Sequence, residues 1–158
     1  MTLADAFALL GKEIRRLAEA WRELGVSVVT DRPSGVGLAL ADHLAEVVTD
    51  GSAELVPAVH AIEGPPGAAP LHAAAAALLR TRRRLDDEFS AYTPVSELMR
   101  AVRGRGADWR GWAQSVRRGV DRCAEPLADA ETAMLRCWRE VGEVAELDKC
   151  GASDDDQR

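Results

Sequence analysis

Three histidines, three cysteines and a block of arginines are the side chains in this sequence best suited to chemistry. Imidazoles could ligate a metal or shuttle protons, thiolates could act as nucleophiles, and guanidinium groups could grip phosphate. His43, His60 and His72 fall on three separate predicted elements. None has a carboxylate or a second histidine at ligand spacing on its own helix face, as a Glu-x-x-His di-metal bundle requires. His72 opens a helix after a loop, with no basic residue in the next four positions, so it reads as a structural histidine. Cys123, Cys137 and Cys150 are odd in number and none pair at finger spacing. Cys123 and Cys137 lie two heptads apart on one predicted helix, about 21 Å at 1.5 Å per residue, which no disulfide spans. They read as small buried hydrophobes in a reducing compartment. No metal ligand set is expected.

Phosphate cradles fare no better. Ser34-Gly35-Val36-Gly37 opens a predicted helix, where backbone amides could hold an anion. A dinucleotide fingerprint would need glycine at position 40, which is Leu40, and a phosphate loop would need a Gly-Lys-Ser or Gly-Lys-Thr ending. The segment reads as linker and cap. Residues 15–31, RRLAEAWRELGVSVVTD, have the outline of a helix-turn-helix, but a recognition helix starting at Val28 would meet Pro33 within two turns. No local Ser, Cys and His arrangement supports nucleophilic catalysis. The expectation is a protein with no catalytic residues and no cofactor.

The arginines carry the remaining chemistry. Net charge is −6 overall, yet residues 80–122 hold 11 basic against 6 acidic side chains, while the segments on either side are acidic. Arg100, Arg103, Arg105, Arg110, Arg117 and Arg118, with Trp109 and Trp112 nearby, could track a nucleic-acid backbone with stacking aromatics. Against this, Arg82–Asp86, Arg83–Asp87, Arg84–Glu88 and Arg117–Asp121 are spaced as i,i+4 pairs that would neutralise the block locally. The two tryptophans also fall on an apolar stripe and read as core. Lys12 and Lys149 are the only lysines, so the preference for arginine is general and says little about phosphate.

The elements that must position these groups are helices. Leu3, Phe7, Leu10, Ile14, Leu17, Trp21 and Leu24 alternate at steps of four and three, with Thr2 and Asp5 as a capping box and Gly25 as the expected stop. The β-branched VSVVT that follows reads as a buried linker. A second helix is predicted over 36–48, burying Val36, Leu40, Leu44 and Val47 and closed by Asp50-Gly51-Ser52. Irregular turns broken by Pro57 follow it. After the EGPPGAAP loop a third helix is predicted from Leu71 to Tyr92, with Leu71, Ala75, Leu78, Leu85, Phe89 and Tyr92 inward. A short helix is expected near 95–102. Asp108 then caps a last helix whose stripe runs from Trp109 to Val144 in constant phase across Pro126, which reads as one helix kinked there.

The chain therefore predicts an all-α fold, a four-helix-type bundle with a long C-terminal helix and short accessory turns. It is a single domain over 1–150 with a disordered acidic tail at 151–158. Composition, 47% hydrophobic and 29% charged, suits a folded globular protein. No apolar run reaches membrane-spanning length, and the acidic N-terminus does not read as a signal peptide, so a cytoplasmic location is expected. The leading functional expectation is a non-catalytic interaction protein: an adaptor, scaffold or assembly subunit that self-associates or docks a protein partner. The alternative is a small helical subunit that binds nucleic acid through 80–122 in a larger ribonucleoprotein or defence-type complex. A length mismatch points to the surface. The first and third helices would each be about 33 Å long and the last about 54 Å. Met134, Cys137, Trp138, Val141 and Val144, rimmed by Glu140, Glu143 and Glu146, are thus the candidate docking residues.

Overall fold

A computed structural model describes residues 1–33, 36–89 and 107–156, with side chains for all of these except 36–37, 107–109 and 143–156. Four helices pack against one another: α1 (Leu3–Val29), α2 (Val36–Glu63), α3 (Ala68–Glu88) and α4 (Ala107–Asp156). No strand occurs among the described residues. The fold is an all-α helical bundle.

α1 starts as its sequence dictates. The Thr2 hydroxyl accepts from the Asp5 backbone N–H, and the Asp5 carboxylate accepts from the Thr2 N–H, each at 3.1 Å. These bonds to Thr2 hold the Asp5 carboxyl below its ordinary range. The helix does not stop at Gly25. It continues through the valines to Val29 because Val28 extends the stripe and is wholly buried. Helical glycine costs about 1 kcal/mol and β-branched residues a few tenths each, whereas burying a valine returns about 1.5–3 kcal/mol. Gly25 instead permits close approach, since a Cβ there would lie 2.8 Å from Val48 Cγ1. The helix ends at Thr30, which turns extended, and Asp31 then adopts a left-handed φ of 51°.

α2 corrects the sequence reading most. It is one helix of 28 residues rather than a helix followed by broken turns, and it runs through both Gly51 and Pro57. Its central buried stripe is Ala41, Leu44, Val48, Gly51, Leu55, Ala58 and Ile62, an unbroken alternation of three and four, with Val47, expected inward, and Val59 buried beside it. Gly51 belongs to that stripe as its smallest member, with the Trp21 indole lying where a side chain would be. The indole N–H donates to the Val48 carbonyl at 2.8 Å. Leu40, expected inward, is only half-buried.

α3 starts three residues earlier than expected, at Ala68, and ends at Glu88, with Phe89 buried just beyond. Its core face is Leu71, Ala74, Ala77, Leu78, Thr81 and Leu85, so Ala74 takes the place expected for Ala75. The buried Thr81 hydroxyl donates to the Ala77 carbonyl one turn back at 2.9 Å. Tyr92 and the short helix expected near 95–102 lie outside the described residues.

α4 runs unbroken through the buried Pro126, and its helical backbone continues to Asp156, into residues the sequence reads as tail. The expected inward positions Trp112, Val116, Cys123, Leu127, Ala130 and Cys137 are buried.

Contacts between helices set the topology. α1 packs on α2 and α4, and α3 packs on the same two. Along each seam residue numbers rise on one helix as they fall on the other. Gly25 lies against Val48 and Gly11 against Ile62. Arg80 meets Glu54 and His43 meets Glu88. Arg82 meets Glu131 and His72 meets Trp138. Trp112 meets Val28 and Arg16 meets Asp129. All four seams are antiparallel, an up-down-up-down ring. The same register ends the bundle. With Arg16 opposite Asp129 and His72 opposite Trp138, the first residues of α1 and α3 sit level with about residue 141. The remaining fifteen residues of α4, about 22 Å of helix, project past that end.

Candidate interaction surface

The arginine block is organised differently from its sequence spacing. Of the four expected i,i+4 pairs, Arg117–Asp121 forms, at 3.6 Å. Arg82 and Arg84 reach across to other helices instead. Arg84 clamps Glu54 of α2 with two bonds of 2.8 and 2.9 Å, and Arg80 Nε adds a third at 2.8 Å. The Arg84 guanidinium, with Arg80 behind it, holds the Glu54 carboxyl down at about 2. Arg82 bonds Glu131 of α4. A carboxylate on the facing helix offers a fixed, half-desolvated partner, whereas an i,i+4 acid on the exposed face gains only a few tenths of a kcal/mol. Three of the block's cations thus serve as seams of the bundle. Arg110, Arg117 and Arg118 are exposed on α4. Arg100, Arg103 and Arg105 lie outside the described residues, as do the side chains of Trp109 and Val144.

Among the described residues, neither histidines nor cysteines converge. His43 and His60 share α2 rather than occupying separate elements, and lie 17 residues apart on it. His43 pairs with Glu88 at 2.8 Å, and His60 is exposed. Cys123 and Cys137 are free and buried. Burial pushes their thiols up to about 12 and about 11 respectively, with a nearby carboxylate adding in the same direction, so both are poor nucleophiles at neutral pH.

Among the candidate docking residues, Cys137 must be withdrawn. It is wholly buried in the core, because it sits at the centre of the α4 stripe rather than on its edge. Met134, Trp138 and Val141 are half-buried and pack against that core. Trp138 meets His72 of α3 edge-on, ring centroids 4.7 Å apart.

Two residues that the sequence reading passed over complete the surface. Leu79 of α3 is 52% exposed and Leu135 of α4 is 61% exposed. Leu79 lies seven residues, two helical turns, from His72, and Leu135 lies three from Trp138, so each shares a face with its neighbour. Both therefore open on the outer α3/α4 seam, between the His72–Trp138 contact and the Arg82–Glu131 bridge. Their signal was a leucine one step off the stripe, which helix periodicity alone assigns to solvent.

The opposite seam, between α1 and α2, is grooved. A concavity of about 670 Å³ runs beside α1 from Ala4 to Glu19 and is closed by Ile62, Glu63, Gly64 and Pro66. It continues into a second of about 580 Å³ reaching Arg22, Val56 and His60. Four cations line the two, Lys12, Arg15, Arg16 and Arg22, against the carboxylates of Glu19 and Glu63. No helix among the described residues is long and apolar enough to cross a membrane. In comparison with known proteins, no family model, curated protein or solved structure matches this chain.

Proposed function

We propose that this chain is a non-catalytic interaction protein, an adaptor, scaffold or assembly subunit that works through its helix faces. One observation carries the reading: α4 outruns the bundle by about fifteen residues, so among the described residues its end has no neighbouring helix to pack on. A projecting helix gains little from propensity alone and is stabilised when another surface covers it. The Leu79–Leu135–Trp138 patch on the same pair of helices supports the reading, since an apolar cluster with a charged border suits a protein interface. The nucleic-acid alternative keeps three of its candidates, Arg110, Arg117 and Arg118, exposed on α4, while Arg80, Arg82 and Arg84 at the head of the basic segment are engaged by Glu54 and Glu131.

The test is cross-linking of the full chain in extracts of its source cells, comparing the wild type with Leu79→Asp/Leu135→Asp and with Trp138→Ala. The leucines are exposed, so their replacement should leave helicity unchanged while abolishing cross-links that map to 127–147. Trp138→Ala should weaken association by more than about 1 kcal/mol. Cross-links unchanged in every variant would remove this surface from the proposal.

A further inference from the structure

The projecting end of α4 and the α1/α2 groove are matched in length and opposite in charge. The projection, residues 142–156, measures about 22 Å, and the stretch of α1 from Ala4 to Glu19 that lines the groove measures about 22 Å by the same rise. Residues 143–156 hold six acidic side chains and one lysine. Of the groove's four cations, Arg15 is bonded to Glu63 and Arg16 to Glu13 and Asp129, so Lys12 and Arg22, facing Glu19, carry its positive excess in a chain of net charge −6. Its floor is apolar, with Phe7 and Ile62 beneath and the exposed Val56 further along, and Val144 and Leu147 continue the apolar spacing of α4 beyond Val141.

The projection points away from its own groove, so the occupant is another molecule. We propose that it is a second copy: the end of α4 docks along the α1/α2 seam of its partner, reciprocally, in a two-fold dimer. This rests on the reading of α4 as an interaction element. Direct pairing of the two projections is disfavoured because it would set acid against acid. Two-fold symmetry about an axis at the bundle end also fixes the direction. Each projection runs up the partner in the same sense as α1, which brings Asp154–Asp156 level with Arg15 to Arg22.

Sedimentation equilibrium of the full chain tests this, with circular dichroism as the folding control. The wild type should be a dimer whose dissociation constant rises with salt. A chain ending at Val141 should remain helical and be monomeric. Arg15→Glu/Arg22→Glu should loosen the dimer at least tenfold, and Asp154→Lys/Asp155→Lys likewise. All four changes in one chain should restore most of the affinity, which a merely destabilised groove could not do. A full chain that stays monomeric at hundreds of micromolar overturns the proposal, as does a dimer that survives truncation or a combined variant without recovery. A dimer that persists in the truncated chain but is lost with Leu79→Asp/Leu135→Asp would sink this docking mode while leaving the interaction-protein reading intact.

Discussion

At Gly51 a Cβ would lie 2.5 Å from Nε1 of Trp21, and at Gly111 it would meet nothing within 4 Å. Both glycines sit inside helices, so in sequence they look alike, each a weak point worth about 1 kcal/mol relative to alanine. Packing separates them. The Trp21 indole is pinned by its bond to the Val48 carbonyl and is wholly buried, so it cannot swing aside. Gly51→Ala should therefore destabilise the protein by roughly 1–3 kcal/mol, overpacking outweighing the gain in propensity. Gly111→Ala should stabilise it by roughly 0.5–1 kcal/mol. Urea midpoints of the two variants, taken with the wild type, should move in opposite directions.

At the scale of elements, Glu54 ties α2 to α3 through two arginines, Arg80 and Arg84. Its folded-state value, about 2, lies below the ordinary 4.5. A depressed carboxyl stabilises the fold in full above the unfolded value, and that contribution is lost as pH falls from about 4.5 toward 2. Glu54→Gln should cost about 1–2 kcal/mol at neutral pH, after allowing for partial exposure of the cluster. The gap between variant and wild type should close on acidification through that window, as read by thermal melts at a series of pH values. The partnership itself could not be read from sequence. Arg84 and Glu88 stand four apart and present themselves as a pair, while Glu54 lies 30 residues away and becomes a neighbour only after α2 and α3 dock. The same reasoning explains which helices were legible. α1 was, because its stripe is made of large side chains. α2 was not, because Gly51 and Pro57 carry local breaking tendencies, and only a stripe that admits glycine as a core residue runs unbroken from Ala41 to Ile62. The candidate surface divides in the same way. Trp138 was visible as an aromatic beside the stripe. Leu79 gains meaning only from the α3/α4 register, and the groove needs α1 and α2 together.

For the whole molecule, the class followed from periodicity alone, since each stripe faces one core. The overhang did not: the sequence places it within 134–144, whereas the bundle covers α4 to about residue 141 and the helix runs on to Asp156, beyond the end of the predicted stripe. The even number of antiparallel helices has one more consequence. α1 starts and α4 leaves the bundle at the same end, with Leu3 level with about residue 141, so the path of the chain is nearly a closed ring. Its order of synthesis is then one of several that could trace the same ring. Joining residue 141 to Met1 through a short flexible linker, and opening new ends in the exposed turn at Gly64–Pro66, should give a permuted chain of the same helicity and cooperative melting. Such a chain would begin with α3 and finish with α2, and the core would be indifferent to the change.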